Sequence, residues 1–527
     1  MASVPLPDWV QEIRPHQAIA VDEIVEAYQS GIRVVGLDAP TGSGKTLIAE
    51  LVRRRLGLPM TYVCSDKSLM DQFARDFQYA KLLKGRANYQ TLSGAFETTA
   101  EDCTSRGPKD PCQFCNPTWE CPYQVAKQQA IHAQLAVTNT AFLLAEANSV
   151  GNFSGRPFIV ADECDTLEKI LMGYVEYEVS RKRIETFGLE EPGKGIHKPT
   201  LADWLLDFGN RVGKELMQED DVKKARRLER LLEDTRRIEA ELRREIEKKQ
   251  SGESEGKWLR LYDERNGGLH LKPVMVDSYG TRNLWRHGRL WLLMSATIIS
   301  MDELADSLGL PLPHTTVKVP MTFPVENRQV IMAPVADVTY KKMGEAVPAL
   351  VHACVVALNK HPHDRILIHT VSYDLAKKLQ DGIRHANIGP RRVITYTDGA
   401  NRERVLAEYK RTPGCVMLAP SMARGIDLPG DLCRVQIIAK TPFLFLGDAQ
   451  INRRTHLPGG DIWYQVQAIR DIIQMTGRAV RSQDDHAITY IFDEQFARNL
   501  WRKNKSLFPD WWRESVVTNI NIREFIQ

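Results

Sequence analysis

An apolar run at 34–37 leads straight into Ala39-Pro40-Thr41-Gly42-Ser43-Gly44-Lys45-Thr46, and helical spacing resumes after it. This junction limits the fold more tightly than any other stretch. Gly42 and Gly44 permit a turn whose backbone N–H groups converge at a helix N-terminus, the geometry of a phosphate cradle built by Thr41, Gly42, Ser43 and Gly44. Such a turn joins a buried strand to a helix and sits at the carboxyl edge of a parallel sheet. The stricter pattern has Gly where this chain has Ala39, and the cradle chemistry survives the change. Lys45 is placed to reach β- and γ-phosphates, and the Thr46 hydroxyl to hold Mg²⁺.

The rest of the chain repeats the same alternation twice. A helical pattern at 15–28 precedes the first strand, and further strands are expected at 60–64, 135–138 and 157–160, with helices near 69–77 and 125–134 between them. A second α/β series runs through 365–369, 393–396, 416–419 and 488–492. Two such units suit a ligand clamped between them. The segment 167–279 reads differently. Between 220 and 249 it is dense in charge, while Leu228, Leu231, Thr235, Ile238, Leu242 and Ile246 recur at three- to four-residue steps, the pattern of a long amphipathic helix in a helical insertion. A solvated hairpin with no role beyond packing is the plainer alternative.

Two further segments carry chemistry. Asp162 and Glu163 end an apolar strand, so adjacent carboxylates project from its carboxyl end; Asp162 suits a Mg²⁺ shell and Glu163 the orientation and deprotonation of an attacking water. Gln474-Met475-Thr476-Gly477-Arg478-Ala479-Val480-Arg481, read as helix, puts Gln474, Arg478 and Arg481 on one face. Two guanidinium groups there suit a phosphate whose charge redistributes during transfer.

Cysteine usage is uneven. Cys103, Cys112, Cys115 and Cys121 fall within one short segment, spaced C-x8-C-x2-C-x5-C, while the other five are scattered. Reduced thiols packed this closely imply a metal centre. Spacing alone leaves both a Cys₄ iron–sulfur cluster and a closed structural zinc site open, although zinc ribbons favour two C-x2-C knuckles and this segment has one.

Composition excludes little. Of 527 residues, 70 are Lys or Arg and 67 Asp or Glu, for a net charge of +3, so a basic track for a polyanion must be local. No apolar run nears the roughly 18 residues of a membrane span, and the first residues lack an apolar leader core. A non-membrane, intracellular, cytoplasmic protein is expected, with a nuclear location open.

Taken together, these motifs resemble a superfamily 2 helicase, in the family's order along nearly the whole chain. Arg14-Pro15-His16-Gln17 resembles the adenine-reading element. Ser65-Asp66-Lys67-Ser68-Leu69 looks like the motif that touches the strand backbone, with Lys67 and Ser68 as its contacts. Asp162-Glu163-Cys164-Asp165 resembles the Asp-Glu-Ala-His box; it departs at the third and fourth positions, and Cys164 reads as a small packing residue. Ser295-Ala296-Thr297 resembles the coupling motif. In the second half, His369–Tyr373 with Thr370 and Ser372, the segment 421–430 with Arg424 and Asp427, and the arginine-finger segment 474–481 match the family's remaining motifs.

The cysteine insertion between the phosphate loop and the acidic box is similar to that of XPD/DinG-type iron–sulfur helicases, as is Phe323-Pro324-Val325-Glu326-Asn327-Arg328 to their inter-domain junction. The resemblance implies a [4Fe–4S] cluster on the four cysteines and an α/β fold of two RecA-like motor domains with a cluster insertion and a mostly helical arch in the first. Motor domain 1 would then comprise 1–94, 135–168 and 281–320, the cluster domain 95–134, the arch 169–280 and motor domain 2 residues 321–527. It also implies a monomeric ATP- and Mg²⁺-dependent DNA helicase acting on single-stranded and forked DNA, travelling 5′→3′. A translocase without strand separation and a zinc-containing RNA helicase stay open, and no repair or replication partner is named by these residues. Phe114 and Trp119, with Tyr79, Tyr89 and Tyr123, are candidates for base stacking, and core filling is the plainer reading for each.

Overall fold

The computed structural model describes residues 6–526 apart from 8, 66, 94–97, 104–111, 252–256, 262–266, 422–427, 479 and 481, and without the side chains of Ser68 and Val222. Strands β1 (Val34–Asp38), β2 (Met60–Cys64), β3 (Lys81–Leu82), β4 (Leu135–Asn139) and β5 (Arg156–Asp162) come first. After an insertion containing β6 (Tyr177–Val179), β7 (Trp258–Leu261) and β8 (Leu269–Pro273), the chain returns with β9 (Gly288–Ser295) and β10 (His314–Lys318). The first sheet has the order β10-β1-β9-β5-β2-β4-β3, and every pairing in it is parallel. Parallel strands are covered on both faces, which is why their sequences are continuous apolar runs. Val34, Val35 and Leu37 are fully buried, and each such side chain stabilises the fold by about 1.5–3 kcal/mol.

A second parallel sheet follows, built from β11 (Arg328–Ala336), β12 (Ile366–His369), β13 (Val393–Thr395), β14 (Val416–Ala419), β15 (Val435–Ile438), β16 (Ala487–Asp493) and β17 (Val516–Val517). Its order is β13-β14-β12-β15-β16-β11-β17. Two parallel sheets with crossover helices are the RecA-like pair that the motif order implied.

The insertion is less uniformly helical than expected. Helices Lys198–Gln218 and Val222–Gln250 pack on each other as a hairpin, but β6, β7 and β8 add an antiparallel sheet of order β6-β8-β7. Along the long helix Leu228, Thr235, Ile238 and Leu242 are buried, and Leu231 and Ile246 pack partly buried against the same cluster. The Tyr177 hydroxyl lies 2.8 Å from Thr235 Oγ1, so the one polar residue on that stripe has a partner. None of the described helices is long and apolar enough to cross a membrane.

Among the described residues, the cysteine segment has no apolar cluster separate from that of motor domain 1. Cys103, Cys115 and Cys121 belong to the apolar cluster that also holds Ile159 of β5 and Leu293 of β9. From the arch, Arg226 donates to the Cys103 carbonyl and Lys223 pairs with Asp102. The segment is thus wedged between motor domain 1 and the long helix.

Candidate nucleotide site and cysteine centre

The phosphate loop is fixed from beneath by the helix Pro15–Gln29. Buried Gln17 donates from Nε2 to the Ser43 carbonyl at 3.0 Å, and its Oε1 accepts from the Arg14 backbone N–H at 3.0 Å. Arg14 Nη1 donates to the Gly42 carbonyl at 3.2 Å. Gly44 takes φ +83°, and a Cβ there would lie 2.3 Å from Gln17 Nε2, so only glycine fits. Ser43 is buried, and its Oγ has no hydrogen-bond partner among the described residues. A buried orphan hydroxyl inside a ring of N–H donors fits an anionic oxygen. Lys45 Nζ rests on the Ala39 carbonyl at 3.2 Å.

Across the loop stands the end of β5. Burial raises the Asp162 carboxyl above its ordinary range, and the nearby Lys45 charge opposes the rise. Thr46 and Asp162 both lie beside the buried Tyr62 hydroxyl, so the two candidate Mg²⁺ ligands are brought together. Glu163 holds a left-handed backbone, φ 50°, a strained state for a residue of this type and one that concentrates at functional sites.

Behind Glu163, the fourth residue of the box does work that its sequence position did not announce. Asp165 accepts from Ser295 Oγ at 3.1 Å and from Thr297 Oγ1 at 2.8 Å. All three residues are buried, so Ser295 and Thr297 are held inside motor domain 1 and are closed to direct contact with a nucleic-acid strand.

Motor domain 2 meets this network through the helix Gly460–Thr476. Gln474 Nε2 donates to Glu163 Oε2 at 3.2 Å and to Thr297 Oγ1 at 3.1 Å. The expectation of Gln474, Arg478 and Arg481 along one helical face is corrected: the helix stops at Thr476 with Gly477 as its C-cap, and glycine is among the weakest helix formers. Arg478 lies past the cap, buried, and its charge acts on His369 and Cys433. Burial, with Arg478 adding to it, holds the His369 imidazole down at about 3. Arg481, Arg424 and Asp427 lie outside the described residues.

The strand-contact candidates divide. Lys67 is exposed, with Nζ 3.5 Å from Asn88 Oδ1; the Ser68 side chain is outside the described set. Thr370 Oγ1 donates to the Ser372 carbonyl, and Ser372 Oγ caps the helix Tyr373–Arg384 by accepting from Leu375 N–H. Of the aromatic candidates, Tyr123 is buried against Tyr89 and beneath Arg86, and the Tyr79 hydroxyl bonds to Glu50. Trp119 is 65 % exposed and is the one exposed side chain among these five.

Reading the sequence missed Arg470, Glu303, Glu168 and Arg454. Arg470 is 1 % exposed and pairs with Glu303 at 2.9 Å across the domain boundary. Arg454 pairs with Glu168, donates to Ser307 Oγ at 2.7 Å and covers the Trp463 ring. Arg470 was findable, since it sits one helical turn before Gln474. The partners of Arg454 come from distant segments and left no local signal.

Sulfurs of Cys103, Cys112 and Cys115 lie within 4.8 Å of one another. Burial raises the Cys103 thiol, and the neighbouring Cys112 raises it further. Burial would also raise Cys112, yet N–H groups of Phe114 and Cys115 hold it lower. Burial raises the Cys115 thiol as well, and the neighbouring Cys121 adds to the rise. An all-sulfur set of four, with no imidazole or carboxylate among it, fits a Cys₄ iron–sulfur cluster or a closed zinc site.

Two family profiles match: "Helicase C-terminal domain" over residues 354–515 and "Type III restriction enzyme, res subunit" over 11–170. The first of these profiles falls on the second parallel sheet and the other on the first half of the chain, with the phosphate loop and the acidic pair. A solved XPD helicase structure superposes with TM-score 0.64 at 16% identity, covering 94% of this chain and 98% of that one. S. tokodaii Xpd4 gives 0.61 at 14%, covering 96% and 100%. In fold the chain is similar to these XPD helicase structures. Among curated proteins it is 23% identical over 209 residues to ATP-dependent DNA helicase chl-1 of Caenorhabditis elegans, 36% of this chain and 24% of that protein. It is 27% identical over 109 residues to the Regulator of telomere elongation helicase 1 homolog of Aedes aegypti, 19% of this chain and 10% of that protein. The matches thus span a quarter or less of those relatives' lengths.

Proposed function

We propose that the chain hydrolyses Mg-ATP between its two motor domains, moves 5′→3′ along single-stranded DNA and separates duplex at a fork, acting as an intracellular monomer. One observation carries the reading: Gln474 of motor domain 2 reaches Glu163 of motor domain 1, 311 residues away, at 3.2 Å. A contact of that kind lets the state of the nucleotide set the distance between the domains.

In this scheme Lys45 holds the β/γ-phosphates and Thr41–Gly44 cradle them. Glu163 takes the proton of the attacking water, and Gln474 fixes the Glu163 carboxylate. Arg478 and Arg481 would supply charge from the second domain. Mg²⁺, held by Thr46 and Asp162, would neutralise phosphate charge. Lys67, Thr370, Ser372 and Arg424 would line the strand's path, and Gln17 with Arg14 would sense the bound base through the loop. An iron–sulfur cluster on Cys103, Cys112, Cys115 and Cys121 would brace the strand-separating wedge. The DNA sequence is read little, because such grips use phosphate contacts and stacking.

The test is DNA-stimulated ATPase and unwinding on substrates with 5′ or 3′ tails, using protein purified without oxygen. Activity on 5′-tailed substrates that Lys45→Ala abolishes supports the reading. ATPase without unwinding would favour a translocase that does not separate strands, RNA preference would move the substrate, and no stimulated hydrolysis would end the proposal.

A further inference from the structure

Among the described residues three non-glycines hold positive φ: Glu163 at 50°, Val371 at 59° and Ile299 at 63°. Glu163 and Val371 lie within motifs already discussed. Ile299 does not, and its β-branched side chain makes a positive φ a steric outlier, as at Val371. Such a backbone persists only where its surroundings over-determine it.

Arg470 supplies that constraint. Its Nε donates to the Thr297 carbonyl at 3.1 Å, and one terminal nitrogen donates to the Ile298 carbonyl at 3.1 Å and to Glu303 Oε2 at 2.9 Å. A guanidinium is a rigid planar fork, so these acceptors are registered against one another across the turn. Ser300 completes it, donating its N–H to the Ile298 carbonyl at 2.7 Å and capping the helix Met301–Ser307 through Glu303 N–H. Thr297 is therefore gripped twice by one helix of motor domain 2: Arg470 holds its carbonyl, and Gln474, one turn on, donates to its hydroxyl while also reaching Glu163.

We propose that Arg470 is a positioning residue for hydrolysis: by clamping the strained Thr297–Ile299 turn from motor domain 2, it sets the register in which Gln474 meets Glu163. The inference rests on the proposed ATPase reading. Release of the clamp lets Ile299 relax, shifts Thr297 and withdraws the shared Gln474 contact. ATP binding, built on Gln17, Lys45 and the loop, is untouched.

The experiment compares wild type, Arg470→Lys, Ile299→Gly and the double variant in DNA-stimulated ATPase, with nucleotide affinity and thermal melting measured alongside. Lysine keeps the charge for Glu303 but lacks the fork. Arg470→Lys should melt near wild type and lose about 10- to 100-fold in kcat, the scale of small misplacements in an active site, with KM for ATP within about twofold. Glycine accepts positive φ without strain, so Ile299→Gly should restore part of that loss in the double variant. Should Arg470→Lys fold poorly, Arg470→Met with Glu303→Gln removes both charges and takes its place. Wild-type kcat in a folded clamp variant, a loss confined to KM, or no recovery on adding Ile299→Gly would overturn the proposal. A wild type without stimulated ATPase would instead overturn the reading on which it rests.

Discussion

Replacing Asp165 by alanine removes the acceptor shared by two hydroxyls that water cannot reach. Ser295 Oγ and Thr297 Oγ1 donate to it at 3.1 and 2.8 Å, and both residues are 0 % exposed. Hydrogen bonds to a charged group contribute about 1.5–3 kcal/mol each, so the gross loss is about 3–6 kcal/mol. Two effects offset it: the buried carboxylate no longer has to be desolvated, and the hydroxyls, 3.1 Å apart, can bond each other. A net loss of about 2 kcal/mol from motor domain 1 is expected. Urea unfolding followed by tryptophan fluorescence, to which Trp291, buried in β9, contributes, measures it. Since Asp165 also fixes the hydroxyl that Gln474 touches, the variant should hydrolyse more ATP per base pair opened. Asp165→Asn keeps one acceptor oxygen and should fall between. An Asp165→Ala protein with wild-type midpoint and wild-type coupling would refute the assignment.

Glu163→Gln should bind ATP with near wild-type affinity yet hydrolyse it at least about a hundredfold more slowly, since general-base catalysis contributes on that scale; retained turnover in a single-turnover assay would dismiss Glu163 as the base. Protein purified anaerobically should be brown and carry iron, and colourless protein with stoichiometric zinc by elemental analysis would replace the cluster by zinc. Cys112→Ser should lower the melting temperature of motor domain 1, because the cysteines share its apolar cluster, and should abolish unwinding before hydrolysis by freeing the Arg226 and Lys223 contacts; wild-type unwinding by iron-free variant would contradict this. Burial holds Asp38 at about 6 against an ordinary 3.8, with Lys318 and Lys45 opposing, and its Oδ1 lacks a partner among the described residues. The folded state therefore binds this proton more tightly than the unfolded one, so stability is greatest below the unfolded value, falls as pH rises through the window up to about 6, and is level above it. The shift corresponds to about 3 kcal/mol; Asp38→Asn should flatten that slope and raise the urea midpoint near neutral pH, and an unchanged slope would clear Asp38 of the effect.

Local chemistry in the sequence determined the strands, the phosphate loop, the acidic pair and the long charged helix. Parallel strands are buried on both faces and so are written as uninterrupted apolar runs, as at β1, β2 and β14. A glycine turn entering a helix has one geometry for every ligand it serves, which made Gly42 and Gly44 legible without a structure. The arch helix was legible from the spacing of Leu228 through Ile246, whereas the short strands β6, β7 and β8 beside it carry too few residues to show a period. Helical periodicity also misled: spacing alone put Arg478 on the face of Gln474, but the helix ends at Thr476, before Gly477, and glycine is a weak helix former. Tertiary structure decided whatever depends on segments far apart in the chain. It gave Asp165 its two hydroxyls, set Arg470 on the Thr297–Ile299 turn, paired Arg454 with Glu168, and merged the cysteine segment into the core of motor domain 1. Those contacts involve single residues brought together by folding, and one residue has no periodicity to read. The physical division is therefore one of range: the sequence encodes what neighbours within a turn or a strand must do, and long-range packing alone chooses which buried polar groups satisfy one another.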